Sequence, residues 1–212
     1  MCYTKEASAY SFIVGIAVSS YLYNQPSPDL KIIGGIFFLV SFMQLFDYVF
    51  WKTQDGTTKS KDTNRLFTKL AVIVNNIQPL VFAYLIYKYK GSVKGENLVY
   101  LYGIVMVLYM MQNWKLLSGA SGPLNTTEVG PDGSLYWSWN HWEYSGYFYI
   151  FFLGMLLYLG YYNLSALYNK VLPSIILLLF IVSYFKYGVE IYGRMWCYFA
   201  PFIPLVFLVI KN

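Results

Sequence analysis

Histidine is almost absent from this chain of 212 residues, which has one, and cysteine is nearly as scarce with two. The single histidine, His141, excludes the multi-histidine membrane hydrolases and desaturases. Two cysteines, Cys2 and Cys197, exclude a disulfide scaffold and leave room for one bridge at most. Charged residues make up 12% of the chain, about half of the ~25% carried by a soluble domain. No run of like charge is long enough for a nucleic-acid arm. Short basic loops beside anionic headgroups account for the net charge of +5. Also missing are a glycine-rich phosphate loop, a Cys-x-x-Cys pair and a His-Glu-x-x-His helix.

Apolar and aromatic residues fill the space. The chain is 58% hydrophobic, with 23 Tyr, 16 Phe and 6 Trp, and Tyr and Trp favour both membrane interfaces. Its mean hydropathy is +0.46. The fold class expected is all-α integral membrane, a single polytopic domain bundling about seven transmembrane helices. The spans are expected at 7–23, 32–51, 66–87, 98–114, 145–162, 171–187 and 189–210, each near the length of one crossing. Residues 7–23 follow a weak basic region without a small-residue cleavage site, so they read as a retained span. Pro26 and Pro28 end that span, and Pro173 is expected in the first turn of the sixth, where proline is tolerated. Residues 52–65 read as a solvated loop. Residues 115–143 form the longest connection, whose aromatic second half, Leu135 to Tyr144, suits a loop folded back on the headgroups. Lys and Arg are more numerous in the connections on the Met1 side, which favours a cytoplasmic N-terminus. Asn125-Thr126-Thr127 is a sequon that would be used only with the opposite orientation.

The second span, Ile32 to Trp51, carries Ser41, Gln44 and Asp47 as its polar residues. Gln44, Asp47 and Trp51 stand at i, i+3 and i+7 and share a helix face. An acid within a span costs at least ~2.5–3.5 kcal/mol on insertion scales and is a functional-site hypothesis by default. Laid antiparallel, the spans bring Cys2, Gln44, Asp47, Gln112, His141, Glu190, Arg194 and Cys197 to one end of the bundle, with Asn75 and Gln78 deeper. Glu190, Arg194 and Cys197 share a face at i, i+4 and i+7. The far half is expected to be nearly free of ionisable groups. The one-sided vestibule assigns ligand binding to Gln44, Asp47, Asn75, Gln78, Gln112, His141, Glu190 and Arg194. Asp47 is expected to point inward, toward Arg194, His141, Gln78 or Gln112. Cys2 and Cys197 are candidates for a disulfide or a shared soft metal. Plainer roles compete: Glu190–Arg194 as a helix-end ion pair, Asn75 and Gln78 as interhelical amide glue, His141 as an interfacial residue.

The opening Met1-Cys2-Tyr3-Thr4-Lys5-Glu6-Ala7-Ser8 resembles an uncharacterised family of small multi-pass membrane proteins whose members begin Met-Cys-Phe-Ser-Ala-Thr-Ala-Ser. They occur in bacteria, algae and large DNA viruses. The likeness continues at Gln44-x-x-Asp47-x-x-x-Trp51, where the family has Gln, Glu and Trp, then at Gln78-Pro79 and at Met195-Trp196-Cys197-Tyr198-Phe199. The chain departs from it with Tyr3, Thr4, Lys5-Glu6 and Asp47. The resemblance implies a multi-pass membrane protein in which Cys2, Asp47, Gln78, Trp196 and Cys197 hold recurrent positions. It implies no activity and no cofactor.

The residues favour a small-molecule or ion binding, transport or sensing protein in a lipid bilayer, since amides and charge pairs suit recognition. A membrane-embedded enzyme using Asp47 and His141, or the Cys2 and Cys197 thiols, is the alternative, with a structural envelope protein as the third. Span seven has no mid-helix lysine for a retinal Schiff base.

Overall fold

Small residues set the closest contact in the molecule. Ser8, Ser11, Gly15 and Ser19 form the buried stripe of helix α1 (Lys5–Tyr23), which Thr4 caps by accepting from the Ala7 N–H at 3.1 Å. Such a stripe lets two backbones approach, and α2 (Pro28–Lys52) lies against it. A Cβ on Gly34 of α2 would stand 2.5 Å from the Tyr23 nitrogen and 2.6 Å from the Ser19 carbonyl oxygen. These are backbone atoms and cannot turn away. We expect Gly34→Ala to cost about 1–3 kcal/mol through overpacking, read as a fall in the unfolding temperature of detergent-solubilised protein. Gly146→Ala, where a Cβ meets nothing within 4 Å, is the control that should be silent.

The computed structural model describes residues 4–114, 118, 125–130, 133–137, 139, 142–187 and 194–210, with the backbone alone for Tyr187, Arg194, Met195 and Cys197. Among the described residues the fold is all-α apart from one hairpin. After α2 come α3 (Thr58–Asn76), α4 (Gln78–Lys90) and α5 (Glu96–Gln112), then strands β1 (Thr127–Val129) and β2 (Leu135–Trp137). Helices α6 (Ser145–Asn163) and α7 (Tyr168–Tyr187) follow. The chain closes with α8 (Arg194–Phe199), a 3-10 turn (Ala200–Phe202) and α9 (Ile203–Ile210). α2 runs through the middle, touching α1, α3, α4, both strands and the last helices. Among the described residues two helices, α2 and α7, are long and apolar enough to cross a membrane, and α3 with α4 makes a third if that bent pair is one span.

Four sequence expectations change. The expected span 66–87 is two helices bent by 48° about Ile77, because Pro79 lacks the N–H that a continuous helix needs. The hydroxyl of buried Tyr102 donates to the Asn76 carbonyl at this break, at 2.7 Å. Span 189–210 is likewise interrupted, with Pro201 and Pro204 at and after the 3-10 turn. α7 begins at Tyr168, so Pro173 sits inside the helix rather than in its first turn. Its ring packs over Gly160 of α6, where a Cβ would come within 3.1 Å. Finally, residues 52–65 are only partly loop, since α3 starts at Thr58 with the Thr57 hydroxyl accepting from the Ser60 N–H. In the preceding turn Asp55 accepts from the backbone N–H and the hydroxyl of Thr57. Hydrogen bonds from Ser60 and Thr57 hold its carboxyl below the usual range. A carboxylate with a lowered folded value stabilises the turn above the ordinary carboxylate range. That contribution fades as pH falls through the lowered value.

Candidate functional site

One face of α3 buries amides and hydroxyls beside Ala71 and Val72. Asn64, Thr68, Asn75 and Asn76 are buried, whereas Leu66, Leu70 and Ile73 face outward. The inner stripe has the i, i+4, i+11, i+12 spacing of one helix face. Its first part grips the hairpin. The Asn64 amide reads the backbone of Thr127 as a neighbouring strand would. Nδ2 donates to the Thr127 carbonyl at 2.8 Å, and Oδ1 accepts from its N–H at 2.8 Å. The Thr68 and Thr127 hydroxyls share a 3.1 Å bond. Gln54 adds a second amide, donating to the Thr127 carbonyl and accepting from the Val129 N–H. β1 thus docks in one register, and antiparallel pairing places Trp137 opposite Thr127.

Alternation along β2 then decides which side chains enter the bundle. Leu135 and Trp137 are buried and Tyr136 between them is exposed, as a period of two requires. Trp137 Nε1 donates to Asp47 Oδ1 at 3.0 Å. Its indole stacks on Trp139 with centroids 4.8 Å apart. Asp47 is 0% exposed, as is Gln44 one turn earlier on α2. Trp139 and Trp142 are buried too, and their Nε1–H groups have no hydrogen-bond partner among the described residues. Trp142 packs on Tyr109, which stacks on Phe148 at 4.2 Å. Deeper, Asn75 Nδ2 donates to Asn76 Oδ1 at 3.3 Å and to the Tyr149 hydroxyl at 3.4 Å. The result is a buried cluster of a carboxylate, amides and indoles.

Of the sequence candidates, Gln44, Asp47, Asn75 and Gln78 are interior. Asp47 points inward, and among the described residues Trp137 donates to it; the expected partners His141 and the Arg194 side chain lie outside the described residues. Gln78 makes no hydrogen bond among the described residues, so it is no partner of Asp47. Gln112 is exposed and outside this cluster, with Nε2 donating to Glu143 Oε2 at 3.2 Å. Cys2, His141 and Glu190 lie outside the described residues, as do the side chains of Arg194 and Cys197. The pairing of the two thiols falls there too. Among the described residues no three His, Cys, Asp or Glu side chains gather as a metal site. The aromatic loop expected on the headgroups is instead a hairpin whose Trp137, Trp139 and Trp142 are buried. The same burial closes the sequon, since Asn125 is 2% exposed and Thr127 0%.

At the opposite end of the bundle, just outside the expected spans 32–51 and 66–87, a second polar cluster forms. Asp29, in the first turn of α2, is buried and forms an ion pair with Lys90 at the end of α4. Lys90 Nζ also donates to the Asn163 carbonyl of α6, and Asp29 Oδ2 accepts from the Ser165 N–H at 3.4 Å. The Asn163 side chain brackets Lys94, accepting from its N–H at 2.7 Å and donating to its carbonyl at 3.3 Å. Asp29 and Asp47 are eighteen residues apart, five full turns of helix, so they share a face about 27 Å apart. The sequence reading missed Asn64, Trp137 and this cluster. Gly130-Pro131-Asp132-Gly133 between two short β-prone runs was a usable hairpin signal, and the spacing of Asp29 and Asp47 was countable.

No protein-family model, no curated protein and no solved structure matches the chain.

Proposed function

We propose that the chain is a seven-span integral membrane protein that binds a small molecule under the tryptophan hairpin. The membrane part rests on the length and apolarity of α2 and α7 and on apolar side chains turned outward, such as Ile73 of α3, Ile150 at 73% exposure and Phe185 at 82%. Amides inside and apolar side chains turned outward suit a lipid surround, where interior amides serve helix contacts. The binding part rests on one observation, the buried indole N–H of Trp139, which stacks on Trp137 of the Asp47–Trp137 pair and has no hydrogen-bond partner among the described residues. Buried Tyr and Trp polar groups ordinarily find a partner. A stranded indole donor next to the Asp47–Trp137 pair suits a ligand with an acceptor oxygen and an apolar or aromatic body. A transporter or sensor would use the hairpin as its lid, since the lid is held by side-chain amides and not by covalent links.

The experiment is native mass spectrometry of protein extracted in mild detergent, with the Trp139→Phe and Asp47→Asn variants alongside. A co-purifying mass on the wild type, lost from both variants while their unfolding temperatures hold, is the expected result. Loss of one indole hydrogen bond should weaken affinity by about tenfold. Identical spectra for all three proteins would leave Asp47–Trp137 as a docking contact only, the reading that suits a structural membrane protein.

A further inference from the structure

At the end of the bundle opposite the hairpin, α1, α2 and α4 each have a terminus at one corner. Tyr23 is the last residue of α1, Lys31 the fourth of α2, and Lys88 and Tyr89 belong to the last turn of α4. The Tyr89 hydroxyl donates to that of Tyr23 at 2.7 Å, and the two rings meet edge to face with centroids 6.1 Å apart. Two ammonium groups lie over the same ring, Lys88 Nζ at 5.3 Å from the Tyr89 centroid and Lys31 Nζ at 5.7 Å. Both also act electrostatically on the Tyr23 hydroxyl. Lys88 is exposed, and the other three residues are half-buried.

Each lysine alone would be ordinary, but the pair is not. Lys88 lies at a helix C-terminus, where a cation is favoured, whereas Lys31 lies near the positive end of α2, where it is not. Attraction to one phenol ring draws both toward the same place, and like charges brought together repel. Among the described residues no carboxylate comes within ion-pair distance of either lysine. Asp29, two residues before Lys31, is taken by Lys90. The Tyr23 hydroxyl accepts from Tyr89, which leaves its own proton to donate. The corner thus presents two cations and an O–H, with no anion among the described residues to receive them.

We propose that this corner binds a phosphomonoester, with Lys31 and Lys88 bracketing the phosphate and the Tyr23 hydroxyl donating to a further oxygen. A phosphomonoester carries about −1.5 to −2 charges at pH 7 and three acceptor oxygens. That matches two ammonium groups and one hydroxyl in both charge and number. A phosphodiester or a carboxylate carries a single charge and leaves one lysine uncompensated. Under the membrane reading proposed above, the ends of these helices lie at headgroup level, where basic pockets between spans take phosphorylated headgroups. A lipid of the phosphatidic acid type reaches the site from the bilayer, and free phosphate reaches it from water. The site is at the other end of α2 from the hairpin and needs no ligand there.

The test is native mass spectrometry of the full chain in mild detergent, titrated with dioctanoyl phosphatidic acid and, as the diester, dioctanoyl phosphatidylglycerol. The monoester should bind at least about tenfold more tightly than the diester. Lys31→Gln and Lys88→Gln should each weaken phosphatidic acid about tenfold and narrow that preference. Tyr23→Phe keeps the ring and should cost about threefold. Lys170→Gln, at an exposed lysine in the first turn of α7 at the same end of the bundle, should change nothing. Excess inorganic phosphate separates the two sources: displacement of the lipid assigns the site to free phosphate, and retention assigns it to the headgroup. Equal affinity for the two lipids, or equal losses in Lys170→Gln and Lys31→Gln, would overturn the proposal in favour of diffuse surface charge. Failure of both phosphatidic acid and phosphate to bind would overturn it outright. The lipid comparison uses the wild-type chain, so it stands even where a variant unfolds. Trp139→Phe should leave phosphatidic acid binding untouched, so this site and the one under the hairpin can fail separately.

Discussion

Lys90→Met should destabilise the protein by about 3 kcal/mol, the lower end of the ~3–5 kcal/mol seen when one partner of a buried ion pair is removed. The lower end applies because the Lys90 side chain is 26% exposed, whereas that of Asp29 is 9% exposed. Without the ammonium, Asp29 keeps the Ser165 N–H at 3.4 Å, a weak bond for a carboxylate, and the Asn163 carbonyl loses a donor. Thermal unfolding in detergent reads the loss. Asp29→Asn combined with Lys90→Met should recover most of it, since the uncompensated charge is then gone. If the single variant unfolds at the wild-type temperature, Asp29 is solvated in the working protein and the lock is not a lock.

Asn64→Ala should release the hairpin. The substitution strands the buried Thr127 N–H and removes one of two donors to the Thr127 carbonyl, while Gln54 retains the other. A stranded buried group costs ~1–3 kcal/mol, and with the lost Thr53 and Thr68 contacts the sum is about 2–4 kcal/mol. The readout is local as well as global. Trp137, Trp139 and Trp142 are buried by the docked hairpin, so tryptophan emission should shift to the red and become open to a soluble quencher. Asn64→Asp keeps an acceptor for the Thr127 N–H and should do less. Emission that stays blue in Asn64→Ala would mean the hairpin is held by the Asp47–Trp137 bond and its apolar contacts instead.

Both expectations concern contacts between distant parts of the chain, and that marks where the sequence reading stopped. The α2 stretch was legible because twenty apolar residues interrupted by Gln44 and Asp47 carry their own periodicity. An acid in such a helix has to turn inward whatever surrounds it. The breaks were half legible. Pro79 announced a kink, but the 48° bend depends on how α4 packs on α2 and how Tyr102 takes the Asn76 carbonyl. The proline pair 201 and 204 was read as span, since both sit among apolar residues.

Composition and pattern by themselves determined an all-α chain, the helix positions to within a turn at most ends, and the burial of Gln44, Asp47, Asn75 and Gln78. Those properties follow from local periodicity and from the cost of exposing a polar group to an apolar surround. Only the tertiary structure decided what each polar residue meets. The Asp47 carboxylate takes its hydrogen bond from Trp137, ninety residues away. Asp29 pairs with Lys90, while the buried Gln78 amide meets no hydrogen-bond partner among the described residues. A hydrogen bond is a matter of a few tenths of an ångström and an angle, and neither is written in the spacing of residues along one helix.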